Sequence, residues 1–258
     1  MSNRTALVGG GATGIGYATA ERLARTGHRV VITGRHADTI EGAVTRLREH
    51  TGGIVHGLVN DVSDPSAADA ACAEVETCYG ALDVLVLNAG GPPPGRILDV
   101  EDKHWWEAFD LLLLGPLRLA RLALPRMAAR GFGRVVFVTS AAVRQPQPDL
   151  ATSVVLRSAV TAAAKLLSLE FAAEGVTVNC VAPGATATER RRQILDNRAR
   201  ITGGSFAELD AADAASIPAS RAGQPAEIGA AVAFLVSAEA SYVNGTVLAV
   251  DGGRTETI

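Results

Sequence analysis

The stretch Leu7-Val8-Gly9-Gly10-Gly11-Ala12-Thr13-Gly14-Ile15-Gly16 joins a short apolar run to the start of a helical pattern. Glycines between a strand and a helix permit a tight turn, and they let a pyrophosphate approach the backbone at the positive end of the helix. We therefore expect this loop to hold a dinucleotide; the alternative is that the glycines serve only the turn. The predicted binding residues of the loop are Gly10, Ala12, Thr13, Gly14, Ile15 and Gly16.

Seven short runs rich in apolar and β-branched residues recur along the chain. Runs of this length and composition are typical of strands buried on both faces of a sheet. They span residues 6–8, 29–33, 54–59, 82–87, 134–139, 176–181 and 246–250. Longer segments with helical periodicity separate them, at 15–26, 37–50, 66–78, 101–130, 154–173 and 226–237.

The alternation of strands and helices predicts right-handed βαβ crossovers. No linker divides the pattern, so we expect a single α/β domain over residues 1–258. Its fold is a three-layer Rossmann fold with a doubly wound, seven-stranded parallel sheet. One long stretch, 185–221, is expected to be irregular, and its polar composition predicts a substrate lid or binding loop.

Composition narrows the class of protein. The 258 residues are 48% hydrophobic and 20% charged with a net charge of −3, which is typical of a soluble globular protein and gives no reason to expect nucleic acid or a membrane as partner. Three cysteines without a CxxC spacing predict a reducing, cytoplasmic setting. The first strand begins too early for a signal peptide, and no uninterrupted apolar run reaches the ~18–20 residues that span a bilayer. The histidines lack metal-ligand spacing, so no metal is expected.

In an open α/β sheet, ligands bind beyond the carboxyl ends of the strands. Arg35 follows the second strand, where an NAD-specific protein usually presents a carboxylate to the ribose hydroxyls. A guanidinium can instead pair with a phosphate, so Arg35 favours NADP (NADPH) over NAD; the alternative is a solvated arginine. Further candidates after the third and fourth strands are Asp61, Val62, Asn88, Ala89 and Gly90.

Together these features resemble the short-chain dehydrogenase/reductase family over essentially the whole chain. The likeness is carried by Gly10-x3-Gly14-Ile15-Gly16, Asp61-Val62, Asn88-Ala89-Gly90, Ser140, Val178-Asn179, Pro183-Gly184, Thr188 and Asp251-Gly252-Gly253. The resemblance implies that Asp61 contacts the adenine, that residues 88–90 pass the cofactor ribose, and that Pro183, Gly184 and Thr188 surround the nicotinamide. It also implies a homo-oligomer, a dimer or tetramer, formed through the two long helices. The helical segment 154–173 is apolar around much of its circumference, which predicts that this helix is buried.

The family typically uses an Asn, a Ser and a Tyr-x-x-x-Lys pair, with the tyrosine as general acid. A gapless alignment from 133 to 179 places Ser153 at the tyrosine position and Arg157 at the lysine position. Leu112 stands where the asparagine belongs, and no Tyr-x-x-x-Lys occurs anywhere in the chain, so Ser140 alone remains of the usual set. The pattern is similar to a divergent branch usually labelled as resembling 3-oxoacyl-carrier-protein reductases.

We hypothesise that Ser140 and Arg157 polarise a substrate carbonyl, with Ser153 as a proton relay. An arginine can stabilise an alkoxide but releases no proton at neutral pH, so the proton would come from water or from the substrate. Alternatively, Arg157 serves only the cofactor and Ser153 is a small residue on a packed helix. The run 190–192 of three arginines is either a solvated helix face or a lid that grips an anionic group.

The predicted function is therefore an NADPH-dependent oxidoreductase, a ketoreductase acting on a small-molecule or acyl-type carbonyl substrate with an atypical active site. Two other classes stay open. One is an NADP-binding protein with little or no redox activity, such as a sensor or structural subunit. The other is a dehydratase, isomerase or cyclase built on the same scaffold.

Overall fold

Seven parallel strands form one sheet in the order β3-β2-β1-β4-β5-β6-β7. The computed structural model, which describes residues 4–257, places the strands at Thr5–Val8, Arg29–Gly34, Val55–Val59, Val84–Leu87, Gly133–Val138, Val176–Pro183 and Val247–Val250. Strand β1 lies inside the sheet because Ala6 pairs with Val30 of β2 and with Val84 of β4. The predicted doubly wound, seven-stranded sheet is confirmed. The predicted limits 1 and 258, and the start on which the signal-peptide expectation rests, lie outside the described residues.

Nine α-helices are described between 4 and 257. In chain order α1 to α9 are Gly14–Arg25, Ala37–Thr51, Ala67–Tyr79, Asp102–Phe109, Gly115–Ala129, Ala151–Glu170, Glu189–Thr202, Phe206–Ala215 and Pro225–Val236. They cover the sheet on two sides, and successive residues of each strand face opposite layers. Thus Ala6 and Val8 of β1 belong to the core under α1 and α9, whereas Leu7 belongs to the core under α3 and α5.

The predicted helix 101–130 is interrupted. Helices α4 and α5 are joined without a break by one wide turn, the π-helix Asp110–Leu114. Gly115 follows this turn, and a Cβ there would lie 2.1 Å from the carbonyl oxygen of Val62. The close approach of two backbones places the wide turn beside the loop that follows β3.

The segment 185–221 is mostly helical, so the expectation of an irregular stretch was wrong. Thr188 caps α7 by accepting a hydrogen bond from the Arg191 amide at 3.3 Å. Ser205 and Glu208 form a reciprocal capping box at the start of α8. The Ser-x-x-Glu spacing is a readable helix-start signal. It was missed because neither helix has the apolar stripe on which the strand and helix assignments relied.

Helix α6 is not buried on all sides, contrary to its apolar pattern. Leu166 is 60% exposed and Leu169 is 65% exposed, whereas Leu156 and Val160 are buried. By length and mean hydropathy α6 meets the criterion for a membrane-spanning helix, which is a different measure from the apolar runs counted in the sequence. Those runs were uninterrupted, and Arg157 and Lys165 interrupt this one. Helix α6 packs against β6, and the core helices of globular domains meet the same criterion.

Candidate active site

A cavity of about 650 Å³ opens at the carboxyl ends of the strands. The loops after β1, β2, β3, β4, β5 and β6 all contribute to it, together with α6 and α7. Of the predicted site residues, all but Gly16 line this cavity: Gly10, Ala12, Thr13, Gly14, Ile15, Arg35, Asp61, Val62, Asn88, Ala89, Gly90, Ser140, Ser153, Arg157, Pro183, Gly184 and Thr188. The sheet therefore brings together residues that lie up to 178 positions apart in the chain, from Gly10 to Thr188.

The glycine loop is built for close backbone contacts. Gly10 has a φ of +57°, a left-handed conformation that favours glycine. A Cβ on Gly16 would lie 2.1 Å from the Gly10 carbonyl oxygen, so this position accepts no side chain without moving the loop. The Asn88 amide nitrogen donates to the Gly9 carbonyl at 3.0 Å and ties the loop to the end of β4. Gly16 thus shapes the cavity from behind its wall.

The start of α1 fits an anionic group. The first amides of any helix lack intrahelical acceptors, and here Thr13 makes no side-chain capping bond. The first turn also carries no acidic residue that would compete for these amides. A pyrophosphate at this point would satisfy the free N–H groups and meet the positive end of the helix dipole.

Strand β2 ends beside the glycine loop, where the Gly11 amide donates to the Thr33 carbonyl at 3.0 Å, and β3 ends beside β2. Polar side chains follow both strands. Arg35 follows β2 and is exposed. Asp61 follows β3, and its Oδ1 accepts hydrogen bonds from the amide and the hydroxyl of Ser63 at 3.0 and 2.7 Å. These bonds hold the Asp61 carboxylate at the cavity wall, while no carboxylate between residues 4 and 257 lies within 4.0 Å of the Arg35 guanidinium, which can therefore bind a phosphate.

Arg157 lines the cavity. Its Nη1 donates to the Val138 carbonyl at 2.6 Å, and its Nη2 donates to the Ala89 carbonyl at 3.4 Å. The guanidinium therefore joins α6 to the ends of β4 and β5. Burial, and then the charge of Arg190, lower the pKa of Arg157 to about 10. The side chain is still protonated at neutral pH.

Two serine hydroxyls line the same cavity. Ser140 follows β5, and its Oγ accepts a hydrogen bond from the Ala142 amide at 3.1 Å. A serine hydroxyl has one hydrogen to donate, and the Ser140 hydrogen is not used by any residue between 4 and 257. Ser153 lies one turn before Arg157 on α6, and residues four apart share a helix face.

Leu112, which the sequence alignment predicts at the position of a catalytic asparagine, is 4% exposed and packs in a small core with Ala108 and Leu156. It lies in the π-helical turn between α4 and α5. Leu112 does not line the cavity, and the polar side chains of this wall come from α6 and from the end of β5.

The arginines at 190–192 have three different environments. Arg190 is half-buried, lines the cavity and donates to the Pro92 carbonyl. Arg191 is largely buried and pairs with Asp210 and Asp213 of α8. Arg192 alone is solvated, with 67% of its side chain exposed. The interpretation as a solvated face is thus wrong for the first two residues, since periodicity does not show which carboxylates fold against a helix.

Ion pairs link distant segments of the chain around the cavity. The Asp213 carboxylate accepts from Arg191 and also from Arg254 near the C-terminal end, at 2.7 Å in each case. Burial opposes ionisation of Asp213, but hydrogen bonds from Arg254 and Arg191 hold the pKa of its carboxyl below the usual range. Arg198 of α7 forms a two-pronged pair with Asp149, which precedes α6. None of these pairs was predicted from the sequence, because each joins distant segments.

Away from the cavity, three potential metal ligands meet on the surface between β3 and α3. The ligand atoms of His56, Glu74 and Cys78 lie within 4.8 Å of one another. The residues also bond to each other: His56 Nε2 is 3.2 Å from the Glu74 carboxylate, and the Cys78 thiol donates to that carboxylate at 3.3 Å. Sequence spacing alone did not indicate this grouping.

A glycine cradle, a phosphate-compatible arginine and polar residues at the carboxyl ends of parallel strands define a dinucleotide-binding enzyme of the α/β class. Residues 10–255 match the family model described as enoyl-(acyl carrier protein) reductase. The chain is 33% identical to dehydrogenase/reductase SDR family member 4 from Bos taurus over 254 residues, covering 98% of this chain and 88% of that protein. It is 31% identical to the NADPH-dependent reductase BacG from Bacillus subtilis (strain 168), with both chains covered in full.

Solved structures agree with this result. A variant of actinorhodin polyketide ketoreductase crystallised with NADPH superimposes with a TM-score of 0.95 at 32% identity, over 99% of this chain and 98% of that one. The chain belongs to the short-chain dehydrogenase/reductase family and is an NAD(P)H-dependent oxidoreductase.

Proposed function

We propose that the chain is an NADPH-dependent ketoreductase with an atypical active site, acting on a small-molecule or acyl-type carbonyl substrate. The observation that carries this proposal is the position of Arg157. A guanidinium anchored to the Val138 and Ala89 carbonyls lines the same cavity as Ser140 and Ser153. Relatives described as an NADPH-dependent reductase and a polyketide ketoreductase support the reaction class and the cofactor.

The residues present fit NADP. The amides at the start of α1 would hold its pyrophosphate, with Gly10, Ala12, Thr13, Gly14, Ile15 and Gly16 shaping the loop. Arg35 would bind the phosphate on the adenosine ribose, and Asp61 with Val62 would lie at the adenine. The loop Asn88–Ala89–Gly90 would pass the second ribose, and Pro183, Gly184 and Thr188 would border the nicotinamide. When bound, NADPH supplies the hydride for an electrophilic carbon.

The chain's own residues would stabilise the negative charge that develops on the carbonyl oxygen. The Ser140 oxygen accepts from the Ala142 amide, and no acceptor among residues 4–257 takes the hydroxyl hydrogen. Arg157 adds a fixed positive charge, and groups preorganised in this way do not need to reorient during the reaction. With a pKa of about 10, Arg157 keeps its proton at neutral pH. The proton would therefore come from water or from a substrate hydroxyl, with Ser153 as the relay.

Arg157→Leu should lower kcat/KM for ketone reduction by about 100- to 1000-fold, the usual effect of losing one oxyanion-stabilising donor. Arg157→Lys, which keeps the charge, should restore part of the activity. Ser140→Ala should also lower turnover, whereas Ser158→Ala on the exposed side of α6 should not. NADPH oxidation followed by absorbance measures turnover, and fluorescence titration measures NADPH affinity separately.

The two measurements separate the possible roles of Arg157. If Arg157→Leu weakens NADPH binding and leaves turnover at saturating NADPH unchanged, then Arg157 serves only the cofactor and the catalytic assignment is wrong. If the wild-type protein binds NADPH but reduces no ketone, a sensor or structural role replaces the proposal. If NADPH does not bind at all, a dehydratase, isomerase or cyclase becomes the better hypothesis.

We further propose that the segment 185–221 acts as a substrate lid and that the protein is a cytoplasmic homodimer or homotetramer. The lid is supported by Arg190 and Leu195 of α7, which line the cavity. Exposed apolar side chains support an interface: Leu166 and Leu169 of α6, and Trp106 of α4, which is 68% exposed. The free thiols of Cys72, Cys78 and Cys180 are consistent with a reducing compartment. Light scattering coupled to gel filtration measures the oligomeric state, and a monomer at micromolar concentration would refute the proposed homodimer or homotetramer.

A further inference from the structure

The charges around the cavity are unevenly compensated. Of the arginines that line it, Arg191, Arg198 and Arg254 each bond to an aspartate carboxylate. Two others, Arg157 and Arg190, bond to backbone carbonyls instead. In the described part of the chain, no carboxylate oxygen lies within 4.0 Å of either guanidinium.

Arg190 is held firmly against the backbone beyond β4. Its Nη2 donates to the Pro92 carbonyl, and a Cβ on Gly91 would lie 2.7 Å from its Nε. Glycine at position 91 therefore makes room for the guanidinium to lie against the chain. A guanidinium carries five N–H donors. Within residues 4–257 the only acceptor of an Arg190 N–H group is the Pro92 carbonyl. The remaining donors are available at the wall of the cavity.

Arg190 and Arg157 also act on each other. Burial lowers the pKa of Arg190, and the charge of Arg190 adds to burial in lowering the pKa of Arg157. Both guanidinium groups also bond to the same loop after β4, Arg157 at Ala89 and Arg190 at Pro92. Two partly buried positive charges on one loop and without carboxylates raise the energy of the free protein. Neighbouring positions on α7 do not share this feature, because Arg191 and Arg192 both have aspartate partners. An anion bound between the cavity wall and α7 would relieve the repulsion.

We propose that the substrate carries an anionic group, a carboxylate or a phosphate, and that Arg190 binds this group while Arg157 faces the carbonyl. The assignment rests on the proposed ketoreductase function and specifies its substrate class as acidic carbonyl compounds. The pyrophosphate of the cofactor has its own site at the start of α1, so Arg190 is left for the substrate. Arginine suits this task because its planar fork matches the oxygens of both groups.

Matched substrate pairs test the proposal. The acid 2-oxo-4-phenylbutyrate is compared with its ethyl ester, and dihydroxyacetone phosphate is compared with dihydroxyacetone. Arg190→Gln should lower kcat/KM for the preferred anionic member by about 10- to 100-fold, mainly through KM, and should change kcat/KM for the neutral member much less. Arg190→Lys should recover part of the loss. Arg192→Gln, the matched control on the exposed side of α7, should change neither value. The pair that shows the larger effect distinguishes a carboxylate from a phosphate.

A binding measurement keeps this result separate from catalysis. Calorimetric titration of the NADP⁺-loaded protein with 2-oxo-4-phenylbutyrate, and separately with dihydroxyacetone phosphate, should show binding that Arg190→Gln weakens. Such binding without any turnover would support the anion site and refute the ketoreductase function. Equal losses for anionic and neutral substrates would overturn the proposal. So would an Arg190→Gln protein whose main defect is weaker NADPH binding, because Arg190 would then serve the cofactor.

Discussion

Arg35 provides the sharpest test of cofactor choice. It follows β2 at the edge of the cavity, and no carboxylate lies within 4.0 Å of its guanidinium among residues 4–257. Hydrogen bonds to a charged group contribute about 1.5–3 kcal/mol. Because Arg35 is exposed, solvent screening places the effect in the lower half of this range. Arg35→Gln should therefore weaken NADPH binding by roughly 10- to 50-fold, at about 1.4 kcal/mol per factor of ten.

NADH lacks the extra phosphate on the adenosine ribose, so its affinity should change by less than about twofold in Arg35→Gln. Fluorescence titration with each nucleotide measures both affinities in the same buffer. Raising the salt concentration should shrink the NADPH effect, because the Debye length falls from about 10 Å at 0.1 M to about 3 Å at 1 M. Arg22→Gln, an exposed change of the same charge on α1, serves as the control. Equal weakening of NADPH and NADH would refute the reasoning.

Three other predictions concern loop geometry, ion pairing and thiol access. Gly16→Ala should raise the NADPH dissociation constant at least about 100-fold, because its Cβ would lie 2.1 Å from the Gly10 oxygen. The control Gly131→Ala lies in open space at a φ of +68°, so it should lower the free energy of unfolding by about 1–2 kcal/mol and leave NADPH binding unchanged. Asp213→Asn should lower the free energy of unfolding, measured with urea at pH 7, by about 3 kcal/mol, since it leaves Arg254 without its aspartate while Arg191 keeps Asp210. The pKa of Asp213 is depressed, so its stabilisation is present above about pH 4 and lost as the pH falls further; a difference between the two proteins that grew in acid would contradict this. An aromatic disulfide reagent should titrate one thiol per native chain, Cys78, and all three after denaturation; a second fast thiol in the native protein would show that the described packing is wrong.

The pKa values of the thiols, as well as their exposure, determine how fast they react. Burial raises the pKa of Cys180 to about 12, so its thiolate is scarce at neutral pH as well as inaccessible. Cys78 is exposed, and its hydrogen bond to Glu74 raises the pKa of its thiol. Its reaction with the reagent should therefore be slow at neutral pH and faster in alkaline buffer.

Much of the fold could be predicted because the signals are local. A strand buried on both faces must be apolar throughout, and a strand-to-helix turn around a pyrophosphate needs glycine. Those constraints act within about ten residues, so the seven strands and the glycine loop could be located directly. The cofactor candidates followed from them, because every carboxyl end of a parallel sheet points to the same edge.

The errors share one physical cause. Helix α7 is polar and helix α8 has no apolar stripe, and both are stabilised by capping and by ion pairs such as Arg191 with Asp213. An apolar pattern could not reveal them. For α6 the pattern indicated burial on all sides, but the single chain covers only part of its surface and leaves Leu166 and Leu169 exposed. Periodicity shows that a surface is apolar and does not show what covers it.

The sequence by itself determined the class of protein: a glycine loop, apolar strands and strand-end polar residues require an α/β dinucleotide-binding domain. It also showed that no Tyr-x-x-x-Lys spacing occurs in the chain. Only the tertiary structure decided which charges are compensated. Arg190 and Arg191 are neighbours in the chain, yet Arg191 pairs with an aspartate, whereas Arg190 bonds to a backbone carbonyl and its charge acts on a second arginine. Electrostatic compensation depends on distances between segments far apart in the chain, and those distances exist only after folding.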